Sequence, residues 1–309
     1  MPATKISKLD FVKNLFPITK KTASEWLDAD PFRQSATVAY YAVFSIPALL
    51  VIIIALAGLA FGKEAVQGEI SVQIEAALGR ETAESIEGII AKSSEEKTSI
   101  IATIIGFVTL ILGSTGVFGE LQTSLNQIWE VKVIAKKKWL KTIKDRLFSF
   151  GLVLSIGFLM LISLLLTTGL EAFGEYIKDR LPDFMLVVFH LINFVISFGV
   201  IAVLFSLIFK VLPDAKIRWS DVWIGAIATS LLFILGKYAL GIYFAKAEPG
   251  SAYGAAGSIV LIMLWVSYSC MILFFGAEFT KQYATFYGRQ IEPTADSEII
   301  SEAQIEKEK

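Results

Sequence analysis

One charged residue lies deep inside a long apolar segment, where it is well placed to bind something polar. Lys237 is the only charged residue between positions 222 and 245. A charge near the middle of a bilayer costs about 3 kcal/mol on insertion scales unless it finds water or a partner. Lys237 could therefore bind an anionic or amphipathic substrate inside a helix bundle. Alternatively, its flexible chain could extend to the outer headgroups.

Polar residues on two helical faces could form a pocket with this lysine. Ser230 lies seven residues before Lys237, which puts both on one face of a helix. His190 and Asn193 share a face in the same way within the apolar segment 184–209. The rise per residue puts Asn193 at the depth of Lys237, and His190 somewhat further out. These side chains either line an outward-facing pocket or form hydrogen bonds that hold helices together.

Two carboxylates lie near the ends of apolar segments on the side opposite to Lys237. Glu120 and Glu278 fall at a similar depth, so they could form the inner end of a polar route through the bundle. Alternatively, each marks only the point where a helix emerges among the headgroups, where a carboxylate costs little.

A proline lies near the midpoint of the first apolar segment. Pro47 frees a backbone carbonyl and is expected to kink the helix. Broken helices at mid-membrane build substrate sites in transporters, although a plain kink is commoner. We therefore include Pro47 and the nearby Ser45 among the candidate residues of a substrate pathway.

These residues must be positioned by membrane helices. Of the 309 residues, 55% are hydrophobic and only 18% are charged, and the mean hydropathy is +0.63. A helix needs roughly 20 mostly apolar residues to cross a bilayer. We predict an all-α polytopic bundle with six transmembrane helices, at 36–61, 99–118, 148–170, 184–209, 222–245 and 255–277.

The distribution of Lys and Arg predicts the orientation of this bundle. The N-terminal segment, 129–147, 210–221 and the C-terminal tail hold 20 of the 28 basic residues, whereas the alternate connections hold seven. Basic residues favour the cytoplasmic side, so both termini should face the cytoplasm. The predicted organisation is an amphipathic segment at 1–35, a membrane domain at 36–280 and a loose charged tail at 281–309.

One outer connection is long and amphipathic. Residues 62–98 carry eight Glu against four basic residues. Val66, Ile70, Ile74 and Leu78 recur every four residues, which predicts a helix with one apolar face. We expect a pair of helices packed on the outer face of the bundle. A lid or an oligomer contact is the functional alternative.

Small and polar residues follow one face of the second predicted span. The residues at 106, 109, 113, 116, 120, 123 and 127 are Gly, Thr, Gly, Gly, Glu, Thr and Gln. Small residues allow two helix backbones to approach closely, so Gly106, Gly113 and Gly116 should pack against another helix. The alternative is that this face lines a solvated cavity.

The composition argues against catalysis and cofactors. A single Cys and a single His leave little for a Cys-based or His-built metal site, and no acidic cluster has metal-ligand spacing. We therefore expect no enzyme activity, no metal and no cofactor. The net charge of −1 gives no reason to expect nucleic acid. The expected partners are membrane lipids, and a second copy of the chain is a further candidate.

Several sequence pieces, in order along the chain, resemble the YihY/BrkB family of bacterial inner-membrane proteins. "FGELQTSLNQIWEVK" is similar to the family signature that ends the second span. "ATVAYYAVFSIPALLVII" resembles its first span and "VLPDAKIRWSDVWIGA" a later connection. "YGAAGSIVLIMLWVSYSCMILFFGAEF" resembles its final span, and Gly254 and Gly257 in that piece are further candidates for helix packing.

This resemblance implies a six-helix inner-membrane protein but does not prescribe a substrate. Relatives carry a ribonuclease BN label, or are described as virulence factors or as candidate transporters. We expect a transporter or flippase of a lipid-like or anionic amphipathic substrate. The alternative is a structural or assembly protein that transports nothing.

Overall fold

The computed structural model describes residues 8–94, 100–134, 183–247, 249–289, 291–294 and 297–299. Helices dominate this part of the chain, and four very short strands accompany them. In chain order the elements are α1 (Lys8–Asp28), α2 (Pro31–Phe61), α3 (Lys63–Leu78), α4 (Arg80–Ser94), α5 (Ile100–Ile128), β1 (Val131–Val133), α6 (Asp183–Val211), β2 (Ala215–Lys216), α7 (Trp219–Ala247), a 3-10 helix (Ser251–Ala256), α8 (Gly257–Phe286), β3 (Glu292–Pro293) and β4 (Ser297–Ile299).

The N-terminal segment forms a helix that docks on the bundle. Asp30 has a positive φ of 53°, which ends α1, and Pro31 then starts α2 at a position that suits proline. Ile18 is buried against Phe279 and Tyr283 of α8. Phe16 is 78% exposed. The segment therefore has a docked face and an apolar residue that is free to meet the membrane interface.

Helix α8 is the centre of the described bundle. It packs against α1, α2 and α7, while α2 packs along α5 and α6 packs along α7. The largest apolar cluster joins these helices, and its most buried large residues are Leu125, Phe209 and Phe274. This cluster lies near the ends of α5 and α6 and the start of α7, so that end of the bundle is tightly packed.

Residues 63–94 form the two helices expected for the outer connection. Gly62 and Gly79, with φ of 85° and 86°, bound α3. Two residues of the predicted apolar stripe, Val66 and Leu78, are buried against α2, α7 and α8. The helix pair therefore packs on the bundle with the face that the sequence pattern indicated.

The described part of the chain is mostly helical, as predicted, but short strands tie part of the predicted loose tail to the bundle. Strand β4 pairs antiparallel with β1, and β3 pairs antiparallel with β2. The tail therefore holds the connections that follow α5 and α6. Helix α8 continues beyond the final predicted span, to Phe286. Strands of two or three residues leave no periodicity in a sequence.

Three described helices are long and apolar enough to cross a membrane. These stretches are Phe194–Val211, Trp219–Ala247 and Gly257–Phe286. They coincide with three of the six predicted spans. The first predicted span falls within α2, and the second falls within α5 from residue 100 onward; the membrane crossing of both stays a prediction. The predicted span at 148–170 lies outside the described residues.

Candidate functional site

Lys237 lies on a buried face of α7. The residues seven before and seven after it, Ser230 and Phe244, are both buried, and Lys237 itself is half-buried. Within the part of the chain that the structure describes, no residue forms a hydrogen bond or an ion pair with Lys237. The ammonium is therefore held on an inward-facing surface without a protein acceptor among those residues.

Other candidates cannot be joined to Lys237 by observed contacts. His190 and Asn193 occupy helical positions in α6, but their side chains lie outside the described part of the chain. The same holds for the side chain of Pro47 in α2 and for the surroundings of Gly106 in α5. The pocket formed by Lys237, Asn193 and His190 thus stays a prediction.

Ser45 lies at the contact between α2 and α5, and its place on a substrate pathway stays a prediction. A Cβ added at Gly113 would lie 3.1 Å from the Ser45 Cβ. A Cβ added at Gly116 would lie 2.3 Å from the Tyr41 ring. This part of the small-residue stripe therefore allows a close approach of two helices. Further along the stripe, Gln127 is exposed and its Oε1 accepts a hydrogen bond from Gln34 at 3.0 Å.

The remaining packing candidates, Gly257 and Gly254, favour glycine for different reasons. A Cβ added at Gly257 would lie 2.5 Å from the Gly250 carbonyl oxygen, so this position has no room for a side chain. Gly254 has open space around it but a positive φ of 53°. Its backbone conformation, rather than a close helix contact, favours glycine there.

Helices α7 and α8 are held together by a reciprocal contact that the sequence analysis missed. Each helix carries a Gly and a Thr four residues apart, and each Gly faces the other helix's Thr. A Cβ at Gly225 would lie 1.7 Å from the Thr280 Oγ1, and one at Gly276 would lie 1.8 Å from the Thr229 Oγ1. Each Thr hydroxyl donates to the carbonyl of its own helix's Gly, at 2.6 Å and 2.7 Å.

Glu278 is buried in a small charged cluster. Its Oε1 accepts a hydrogen bond from Gln282 at 2.6 Å and lies 3.6 Å from the Lys281 Nζ. The Lys281 Nζ also donates to Glu130 at 2.9 Å, which ties α8 to the turn after α5. Glu120 is half-buried, and no described residue joins it to Glu278 by a hydrogen bond. Their common place at the inner end of a polar route stays a prediction.

A buried aspartate organises the end of α5. The Asp214 carboxylate accepts hydrogen bonds from Asn126 at 2.9 Å and Gln122 at 3.1 Å, and its backbone N–H donates to the Asn126 Oδ1 at 2.8 Å. The Asp214 carbonyl accepts from the Ser297 hydroxyl at 2.9 Å. Asn126 belongs to the "LNQIWEVK" motif, so that motif fixes α5 to the turn after α6 and, through Asp214, to the tail.

We predict that Asn126→Leu destabilises the protein by about 3 kcal/mol. Leucine has a similar volume, but it removes a donor from a buried carboxylate and an acceptor from a buried N–H. Thermal unfolding of the purified protein would measure this loss. Thr123→Leu is the matched control, because Thr123 is exposed on the same helix. Equal melting of the two variants would contradict a role for Asn126 in holding Asp214.

A second buried carboxylate also escaped the sequence analysis. Asp221 is buried in the first turn of α7 and forms an ion pair with Arg289, which follows α8. Asp214 and Asp221 lie in predicted connections, where acidic residues are ordinarily solvated. Only their partners, more than 60 residues away in sequence, reveal that they are buried.

This architecture is that of a helical integral membrane protein with a half-buried lysine in one of its apolar helices. The sequence profile of the family described as virulence factor BrkB matches residues 22–298. The chain therefore belongs to that family, as the motifs had indicated.

Curated relatives agree with this assignment. A protein described as a UPF0761 membrane protein from Tolumonas auensis is 30% identical over 186 residues, which cover 60% of this chain and 58% of that protein. One from Stenotrophomonas maltophilia is 22% identical, and the matched region covers 86% of this chain and 61% of that protein. Another, from Verminephrobacter eiseniae, is 26% identical over 57% of this chain and 40% of its own length. The chain thus spans about half the length of these relatives, and no solved structure matches it.

Proposed function

We propose that this membrane protein is a transporter or flippase for a lipid-like or anionic amphipathic substrate. The observation that carries the proposal is Lys237, a half-buried cation within an apolar helix and without a partner among the described residues. An unsatisfied charge in that environment is costly, and intramembrane cations commonly mark substrate or ion pathways. A phosphate or carboxylate headgroup would supply the missing counter-charge.

The proposal includes the finer arrangement expected from the sequence. The bundle has six spans in a bacterial inner membrane, both termini are cytoplasmic, and the protein is not an enzyme. The two ends of the described bundle support a route that opens on one side. The Asp214 network and the tail strands tie one end together, whereas Lys237 lies in the other half of α7. The helix pair α3–α4 packs over that other end, where it would cover the opening.

A structural or assembly role is the second candidate. The close packing of Gly225 and Gly276 against threonines, and the buried hydrogen bonds of Asp214, favour a rigid bundle. Under this alternative Lys237 reaches the headgroups and binds nothing specific. The two candidates differ in whether the purified protein moves any substrate across a bilayer.

Reconstitution into liposomes tests this directly. Liposomes carry fluorescently labelled phosphatidylglycerol or phosphatidylethanolamine in both leaflets. An impermeant quencher added outside removes the fluorescence of the outer leaflet, and the further loss reports labelled lipid that has crossed from the inner leaflet. The proposal expects faster crossing of the anionic lipid than in protein-free liposomes and in liposomes with heat-denatured protein. Crossing rates equal to those of both controls, with correctly inserted protein, would favour the structural role.

The topology gives a separate prediction. In a Cys270→Ala background, a cysteine replacing Arg80 should react with an impermeant thiol reagent in intact cells, because Arg80 is exposed in the outer helix pair. A cysteine replacing Glu298, exposed on β4, should react only after permeabilisation. The reverse labelling pattern would reject the proposed orientation, and labelling of both from outside would reject the odd number of spans that the proposal puts between them.

A further inference from the structure

Two tryptophans are exposed at the start of α7. Trp219 and Trp223 are 49% and 40% exposed, and their spacing of four residues puts them on the same helix face. This helix is one of the three that are long and apolar enough to cross a membrane. Tryptophan is enriched where membrane helices meet the headgroups, because its ring is apolar and its N–H is polar. The pair therefore marks the level of the headgroups on α7.

Two cations accompany the tryptophans at this end of α7. The Lys210 Nζ lies 5.6 Å from the centre of the Trp219 ring and donates a hydrogen bond to the Ile217 carbonyl. Arg218 directly precedes Trp219 and is exposed. One cation contacts the Trp219 ring and a second is its neighbour in the chain, so both lie at the end of α7 that carries the tryptophans.

The acidic residues nearby are already occupied. Asp221 is buried and paired with Arg289, and the Asp214 carboxylate accepts hydrogen bonds from two amides. Among the described residues, no carboxylate forms an ion pair with Lys210 or Arg218. Lys210 and Arg218 are therefore open to an external anion within that part of the protein.

The cations also repel each other. Burial lowers the pKa of the Arg289 guanidinium below its usual range, and the positive charge of Arg218 lowers it further. An anion placed near Arg218 would relieve this repulsion. The guanidinium of Arg218 could bind two oxygens of a phosphate, which a lysine ammonium cannot do in the same geometry.

We propose that Lys210, Arg218, Trp219 and Trp223 form a binding site for the headgroup of an anionic phospholipid. The site lies in the leaflet that meets the N-terminal end of α7. The cations bind the phosphate, and the tryptophan rings pack against the glycerol and the upper acyl chains. A soluble anion would use the cations but would leave the two exposed rings without a role. This site is separate from Lys237 and does not depend on the proposed transport.

Native mass spectrometry of the purified full-length chain tests the site. The protein is mixed with equal amounts of phosphatidylglycerol and phosphatidylethanolamine, and retained lipid is counted. We expect selective retention of phosphatidylglycerol, and Arg218→Gln should weaken it about tenfold. Trp219→Leu should weaken retention of both lipids. Lys246→Gln, an exposed lysine at the other end of α7, is the control and should change nothing.

Three results would overturn the site. One is equal retention of the two lipids by the unchanged protein, and another is equal retention of phosphatidylglycerol by Arg218→Gln and Lys246→Gln. The third is full displacement of phosphatidylglycerol by millimolar inorganic phosphate, which would indicate a site for soluble anions. Arg218 is used because it is exposed, so its removal should leave the thermal unfolding temperature unchanged. Lys210→Gln repeats the test with the second cation.

Discussion

Gly225→Leu is expected to prevent the packing of α7 against α8 and to cost more than about 3 kcal/mol of stability. The added Cβ would lie 1.7 Å from the Thr280 Oγ1 and 2.8 Å from its Cβ, so moving the hydroxyl alone would not make room. The remaining leucine atoms would push α7 and α8 apart, because the close approach of these helices depends on glycine at this position. Size-exclusion chromatography of detergent-solubilised protein should show little or no folded material.

The matched control is Gly241→Leu on the same helix. No heavy atom lies within 4 Å of a Cβ added at Gly241, so this variant should fold like the unchanged protein. Gly225→Ala combined with Thr280→Ala should regain part of the stability that Gly225→Ala alone loses, because the hydroxyl that collides is removed. Equal yields of folded Gly225→Leu and Gly241→Leu would contradict the reciprocal contact.

Lys237→Met is expected to preserve or raise thermal stability while abolishing transport. Methionine keeps most of the aliphatic chain and removes the charge, which relieves an insertion cost of about 3 kcal/mol. The described residues provide no acceptor that this change would leave unpaired. Lys246→Met is the control, because Lys246 is exposed at the end of the same helix. Thermal unfolding and liposome transport would be measured on the same preparations.

The three interpretations of Lys237 give different pairs of results. A stable but inactive Lys237→Met protein supports a charge that binds substrate. A drop of a few kcal/mol in stability would instead indicate a buried structural partner outside the described residues. Unchanged stability and unchanged transport would mean that the side chain only reaches the headgroups. Asn193→Leu should give a milder form of the first result if Asn193 lines the same pocket.

Local patterns were sufficient to predict the helices and some of their contacts. The four-residue spacing of Val66, Ile70, Ile74 and Leu78 predicts an amphipathic helix because helical periodicity is a local property. The glycines of the α5 stripe predicted a close approach, and Gly113 and Gly116 do face α2. At these positions the residue type alone determines how closely the neighbouring helix can approach.

Contacts between distant residues could not be predicted in the same way. Asp214 lies in a connection and is buried only because Asn126, 88 residues away, meets it. Thr229 and Thr280 have no unusual local pattern, and their role depends on the register between α7 and α8. The strands of the tail are too short to show alternation, and only their pairing with β1 and β2 reveals them.

The rate at which labelled phosphatidylglycerol crosses liposomes tests the central claim most directly, when measured in parallel for the unchanged protein, Lys237→Met and Lys246→Met. Equal amounts of inserted protein and equal unfolding temperatures are the conditions for comparison. The account predicts rapid crossing with the unchanged protein and with Lys246→Met, and crossing no faster than in protein-free liposomes with Lys237→Met. Equal rates with all three proteins would contradict a substrate site at Lys237.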